Sequence, residues 1–139
     1  MQTNILWTGR EYYSLENCLV ETWSDATRVT STIIGSYQDV IYKVDYRVET
    51  NEKFETTLVK INGQYDNLLQ AVELHRERNG RWYLNGLESE QFNGCTDIDI
   101  ALTPFTNTPI RRLRFAVGSK QEIKVIYVPF AVVFVGYRE

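Results

Sequence analysis

Val40, Tyr42, Val44, Tyr46 and Val48 fall on one face of a period-two pattern, while Lys43, Asp45, Arg47 and Glu49 fall on the other. Successive side chains of a strand point to opposite sides of a sheet. A segment written this way suits a sheet with one face in a core and the other in water, and it suits no helix. The outer charges alternate in sign, the pattern of a solvated face with weak cross-strand pairs. Thr50-Asn51-Glu52-Lys53 is read as a turn, with Phe54 to Ile61 returning as the second strand of a hairpin.

The same punctuation continues. Asn-Gly dipeptides stand at Asn62-Gly63, Asn79-Gly80, Asn85-Gly86 and Asn93-Gly94, and both residue types tolerate the positive φ of tight hairpin turns. The Asn79-Gly80 turn is the clearest, because Leu68 to Glu77 alternates before it and Trp82-Tyr83-Leu84 resumes after it. Further strands are predicted near Leu15 to Trp23, Arg28 to Gly35, Cys95 to Leu102, Ile110 to Val117, Ile123 to Val128 and Phe130 to Tyr137. No window sustains a helical apolar period. The fold class is therefore all-β: an antiparallel meander with little helix, curled into a roll or half-open barrel so that few edges stay exposed.

At 139 residues the chain is read as a single domain over 1–139, large enough to bury roughly two-thirds of its unfolded surface without staples. Tyr supplies nine of the eighteen aromatic residues, which suits strands whose rings sit where core or cavity meets water. A net charge of -3 gives no basic footprint for a phosphate backbone, so no nucleic-acid partner is expected. Charges at Arg10, Glu11, Glu16, Glu21 and Asp25 interrupt any signal-peptide core, and the expected location is cytoplasmic, or periplasmic had a leader been removed. The run from Val125 to Val135 is broken by Pro129 and is far short of the ~20 residues of a transmembrane helix. Cys18 and Cys95 are too sparse for a disulfide scaffold or a zinc site; they read as reduced thiols, with a bridge as the alternative.

The chemistry-bearing residues concentrate after Gly94. Asp97 and Asp99 share one face of a strand from Cys95 to Leu102, with Cys95 and Ala101. Two such carboxylates can hold a divalent cation or act as acid and base, given further ligands or a nucleophile. The favoured reading makes them structural ion-pair partners of Arg111 and Arg112 on the returning strand. No metal and no cofactor is expected. Thr103 to Pro109 is turn chemistry, whose Thr106, Asn107 and Thr108 either satisfy the loop itself or meet a sugar or head group. His75 with Cys95 makes a weak nucleophile pair, and no phosphate loop, nucleophile elbow or zinc-protease helix is present; the chain is not expected to be an enzyme. Ile123 to Val135 is apolar on both faces, so it is buried in a core or lines a cavity. A cavity would place Trp7, Trp82 and Tyr127 near its mouth and suit an acyl chain.

Gly9-Arg10-Glu11 with Leu15, Tyr46-Arg47-Val48, Asn79-Gly80-Arg81-Trp82 with Gly86, and above all Gly94-Cys95, Asp97-Ile98-Asp99, Thr103-Pro104-Phe105-Thr106-Asn107-Thr108 and Pro109-Ile110-Arg111-Arg112-Leu113 give the chain a resemblance to the bacterial putative glycolipid-binding family. The resemblance spans nearly the whole chain. It departs at one place, where Thr108 joins Pro109 directly and relatives tend to carry an intervening apolar residue. The resemblance implies a spiral β-roll, similar in outline to the half-open barrels of Lol-type lipoprotein carriers. It also implies a lipid or glycolipid ligand held in an apolar cavity of a curved sheet. The alternative is a protein interaction or structural β module with a solid core.

Overall fold

The computed structural model describes residues 1–107, 117–118, 120 and 122–136. Eight strands, β1 (Gln2–Gly9), β2 (Ser14–Thr22), β3 (Ala26–Tyr37), β4 (Val40–Asn51), β5 (Thr56–Tyr65), β6 (Leu68–Arg76), β7 (Trp82–Leu84) and β8 (Leu87–Glu88), form one open antiparallel meander in sequence order. A second, parallel pair joins β9 (Asp97–Ile100) to β10 (Val125–Val128). The helix α1 (Phe130–Val135) follows β10. The all-β meander expected from the alternation is what the chain forms.

Register explains which face is covered. The cross-strand row Trp7, Glu16, Ile33, Val44, Gly63, Gln70 lies beside the row Ile5, Cys18, Ser31, Tyr46, Ile61, Val72. Most of these side chains are buried, and the intervening residues Lys43, Asp45 and Arg47 are not. Against the covered face pack Ile98, Ile100, Ile126, Val128, Val133 and Phe134. The edge strand β1, which contributes only Ile5 and Trp7 to this face, lies outside the strands predicted from sequence.

The turns are less glycine-dependent than the dipeptides imply. Gln38-Asp39 and Asp66-Asn67 connect β3 to β4 and β5 to β6 with positive φ at both positions, the conformation of a two-residue hairpin loop. Asn85-Gly86 does the same between β7 and β8. Asn62-Gly63 makes no turn and lies within β5. Its glycine serves a close approach instead: a Cβ on Gly63 would sit 2.5 Å from the Val133 carbonyl oxygen of α1. Gly35 is similar, since a Cβ there would meet the Tyr42 ring at 2.6 Å.

The segment Phe130 to Tyr137, predicted as a strand, is helical from Phe130 to Val135. Pro129 stands at its N-terminal boundary with extended backbone, and Gly136 ends it at φ 73°. Its two phenylalanines decide the matter by tertiary packing. Phe130 stacks on Tyr12 at 4.6 Å and meets Tyr37 at 4.7 Å and Tyr42 at 5.5 Å, while Phe134 meets Tyr65 at 5.2 Å and Tyr42 at 5.7 Å. Two rings on one helical face enter a tyrosine-lined socket that an extended segment, alternating its side chains, would fill with only half of them. The predicted strand Ile110 to Val117 lies outside the described residues except for Val117.

Candidate functional site

A carboxylate sits inside this fold. Glu16 occupies an inward position of β2, is 2% exposed, and has its Oε2 surrounded by hydroxyls. Ser31 and Tyr46 each donate to it at 2.6 Å and Thr103 donates at 3.1 Å. The donors come from β3, from β4 and from the loop after β9. Thr103 is itself fixed by accepting the Phe105 backbone N–H. The other oxygen, Oε1, is buried with no hydrogen-bond partner. Among the described residues, the other buried side-chain atoms in that condition are the neutral hydroxyls of Thr50 and Thr56, which face each other across β4 and β5.

The surroundings of Glu16 carry strongly shifted acids. Burial, then the Glu16 carboxylate, push the Tyr46 phenol far above its ordinary value. The same two causes push the Cys18 thiol from 9.0 up to about 11, and burial above all pushes Tyr42 up to about 12. All three groups release protons more readily in the unfolded chain. Their contribution is fully present below about pH 9 and falls as pH rises, because the unfolded state then binds fewer protons than the native one. Unfolding midpoints in urea are expected to hold steady up to that point and then to drop. Each group accounts for about 1.4 kcal/mol per pH unit once its unfolded form ionises. A midpoint that stays level through the alkaline range contradicts this burial.

The sequence-predicted residues divide between places. Trp7 is half-buried on the inner face of β1, directly across from Glu16. Trp82 is not at a mouth: it is fully buried, and its indole N–H donates to the Cys95 carbonyl at 3.0 Å. Tyr127 is 56% exposed on β10, and it joins burial and Glu11 in raising the Tyr12 phenol beside the α1 socket. Thr106 is buried in the 3₁₀ turn Pro104–Asn107, accepts the Ile100 N–H and reaches Asp99 Oδ1 at 3.3 Å. That is loop self-satisfaction, with Asn107 exposed beside it. Thr108, Arg111 and Arg112 lie outside the described residues. Asp97 is buried and accepts the Thr96 hydroxyl at 2.9 Å.

The nucleophile pair has no geometry to support it: His75 is half-exposed on the outer face and lies 3.7 Å from Glu77, while Cys95 flanks Trp82. Both cysteines are free thiols. Among the described residues no three His, Cys, Asp or Glu side chains gather as metal ligands, and no helix is long and apolar enough to cross a membrane. Depressions of about 560 and 440 Å³ lie in the turn region around Asn51, Glu55 and Arg76 and on the hydrophilic outer face around Thr32, Asp45 and Lys60.

Comparison with known proteins gives the family and a neighbour of the same fold. The sequence model of the family described as "Putative glycolipid-binding" matches residues 4–136. The crystal structure of a DUF1089 family protein from Pseudomonas aeruginosa, at 1.80 Å resolution, superposes with a TM-score of 0.68 at 27% identity, covering 89% of this chain and 67% of that one. No curated protein matches the chain.

Proposed function

This chain belongs to the putative glycolipid-binding family, and from that premise we propose that it is a non-enzymatic binding protein for the apolar part of a glycolipid or other amphiphile. The ligand lies against the inner face of the meander, where α1 now sits. The observation that carries this reading is the α1 socket. A six-residue helix bounded by Pro129 and Gly136 inserts Phe130 and Phe134 among Tyr12, Tyr37, Tyr42 and Tyr65. A hydrocarbon chain entering the socket makes the same kind of contact as the two phenylalanines. The phenols of Tyr42 and Tyr65 already donate to the Tyr12 and Tyr37 carbonyls, so the floor keeps its polar ends satisfied when the helix leaves.

Affinity then comes from hydrocarbon burial, about 0.8 kcal/mol per methylene. Native mass spectrometry of protein purified without detergent, followed by titration with fluorescent lipids of graded chain length, tests this. Saturable binding that tightens by roughly tenfold for each two methylenes added is expected. Absence of saturable binding across phospholipids, glycolipids and fatty acids overturns it. A second reading, a β module with a solid core that docks a protein partner, is favoured by the closeness of the interior packing and by exposed Leu6, Leu15, Ile34 and Ile41 on the outer face. A protein that ignores every lipid class supports that second reading.

A further inference from the structure

We infer that β1 is a self-pairing edge: two copies of this chain join β1 to β1 antiparallel about a twofold axis, so that the two meanders become one continuous sheet. This stands apart from the ligand reading above. In the order of the sheet β1 has a neighbour on one side, β2. Which of its backbone groups are spare follows from the ladder. The Met1 ammonium donates to the Thr22 carbonyl and the Thr22 N–H donates back to the Met1 carbonyl, so this pair exchanges both bonds. Antiparallel pairs alternate between bonded and non-bonded, and the β1–β2 register runs from Gln2 opposite Glu21 to Gly9 opposite Ser14 without a slip. Thr3, Ile5 and Trp7 therefore direct their backbone groups to β2. Those of Gln2, Asn4, Leu6 and Thr8 point out of the sheet, with no partner among the described residues.

Edge strands are normally guarded by charge, proline, a bulge or brevity. β1 has none of these: its eight residues, Gln2 to Gly9, are uncharged, free of proline and unbulged, and they leave roughly 27 Å of open edge. A strand without charge meets its own copy without repulsion. One register uses every spare group, with Ile5 opposite the partner's Ile5, Asn4 opposite the partner's Leu6 and Gln2 opposite the partner's Thr8. Such a pairing presents the same surface from both copies, so it closes as a dimer and does not grow into a filament. The outer face continues the match. Leu6 is diagonal to Leu15, Leu15 lies directly across from Ile34, and Ile41 is diagonal beyond it; all four are exposed. In this register Leu6 and the partner's Leu6 are diagonal neighbours, and the two apolar patches meet at the axis.

Sedimentation velocity between about 1 and about 300 μM, the range suited to a small interface, with amide hydrogen exchange at both ends of the series, tests this. A monomer–dimer equilibrium is expected, with exchange at Asn4, Leu6 and Thr8 slowing as the dimer forms. Leu6→Pro removes an outward N–H and leaves the bonds to β2 in place; it is expected to keep the native circular dichroism and to stay monomeric. Leu6→Lys, at a side chain 67% exposed, sets two ammonium groups diagonally across the axis. It is expected to raise the dimer dissociation constant about fivefold or more at low salt, with part of the loss recovered at high salt. A native chain that stays monomeric throughout overturns the inference, whatever ligand it binds. So does a dimer in which the Asn4, Leu6 and Thr8 amides exchange as fast as in the monomer, or one that both substitutions leave unchanged. Should Leu6→Pro fail to fold, Leu6→Lys and the exchange pattern decide.

Discussion

Glu16→Ala is expected to lower the unfolding free energy by about 3–5 kcal/mol, because it strands buried hydroxyls that now converge on one oxygen. Ser31, Tyr46 and Thr103 each lose their carboxylate partner. The 3.2 Å contact between Tyr46 and Thr103, the 3.9 Å contact of the Tyr46 hydroxyl with the Cys18 sulfur and the Ser31 approach to the Asn17 carbonyl can take up part of the loss. Glu16→Gln keeps an oxygen for the three donors, and its cost is expected to be nearer 1 kcal/mol, about one ordinary hydrogen bond. Urea denaturation of the two variants checks the difference. If alanine costs no more than glutamine, the cluster is not the closed network described, and its hydroxyls have other partners.

The meander was legible because its signal is local and repeated. Tyr42 to Glu49 alternates, and the Asn79-Gly80 and Asn85-Gly86 turns stand where the sequence puts them. What escaped depends on distant partners. β1 shows little alternation because, at the sheet edge, only Ile5 and Trp7 are partly covered. Asn62-Gly63 has the composition of a turn, yet Gly63 answers to the backbone of α1, a segment seventy residues on in the chain. The Phe130–Val135 helix has the β-branched composition of a strand. Its conformation is set by the tyrosine socket, a tertiary contact that propensity does not anticipate.

Glu16 was hidden for a related reason. In Leu15 to Trp23 both alternate sets are mixed: Leu15, Asn17, Leu19 and Glu21 against Glu16, Cys18, Val20 and Thr22. No period decides which face is inward. The one available signal was the adjacency of a carboxylate and a cysteine two positions apart on a strand opposite Trp7, and register alone makes that meaningful. Trp82 shows the converse, an aromatic expected at a rim that pairs its N–H to a backbone carbonyl and serves the core. A large ring with one polar atom suits either place, and only the partner distinguishes them.

Gly63→Ala is expected to weaken folding and strengthen ligand binding together, a combination that a purely structural glycine does not produce. The added Cβ falls 2.5 Å from the Val133 carbonyl oxygen and 3.0 Å from Val133 Cγ1, so either β5 or α1 must shift. β5 is held between β4 and β6 along nearly its whole length, whereas α1 is six residues long; the helix is the part that yields. Crowding of this kind costs about 1–3 kcal/mol. In the proposed mechanism the native protein must spend the docking energy of α1 before hydrocarbon can enter, and the apparent affinity is reduced by the fraction of open molecules. Raising that fraction by about 1.4 kcal/mol tightens binding roughly tenfold. The measurement pairs the urea midpoint of Gly63→Ala with its lipid titration. Lower stability with unchanged or weaker binding would show that α1 is part of a permanent core, and that amphiphiles, if held at all, are held elsewhere.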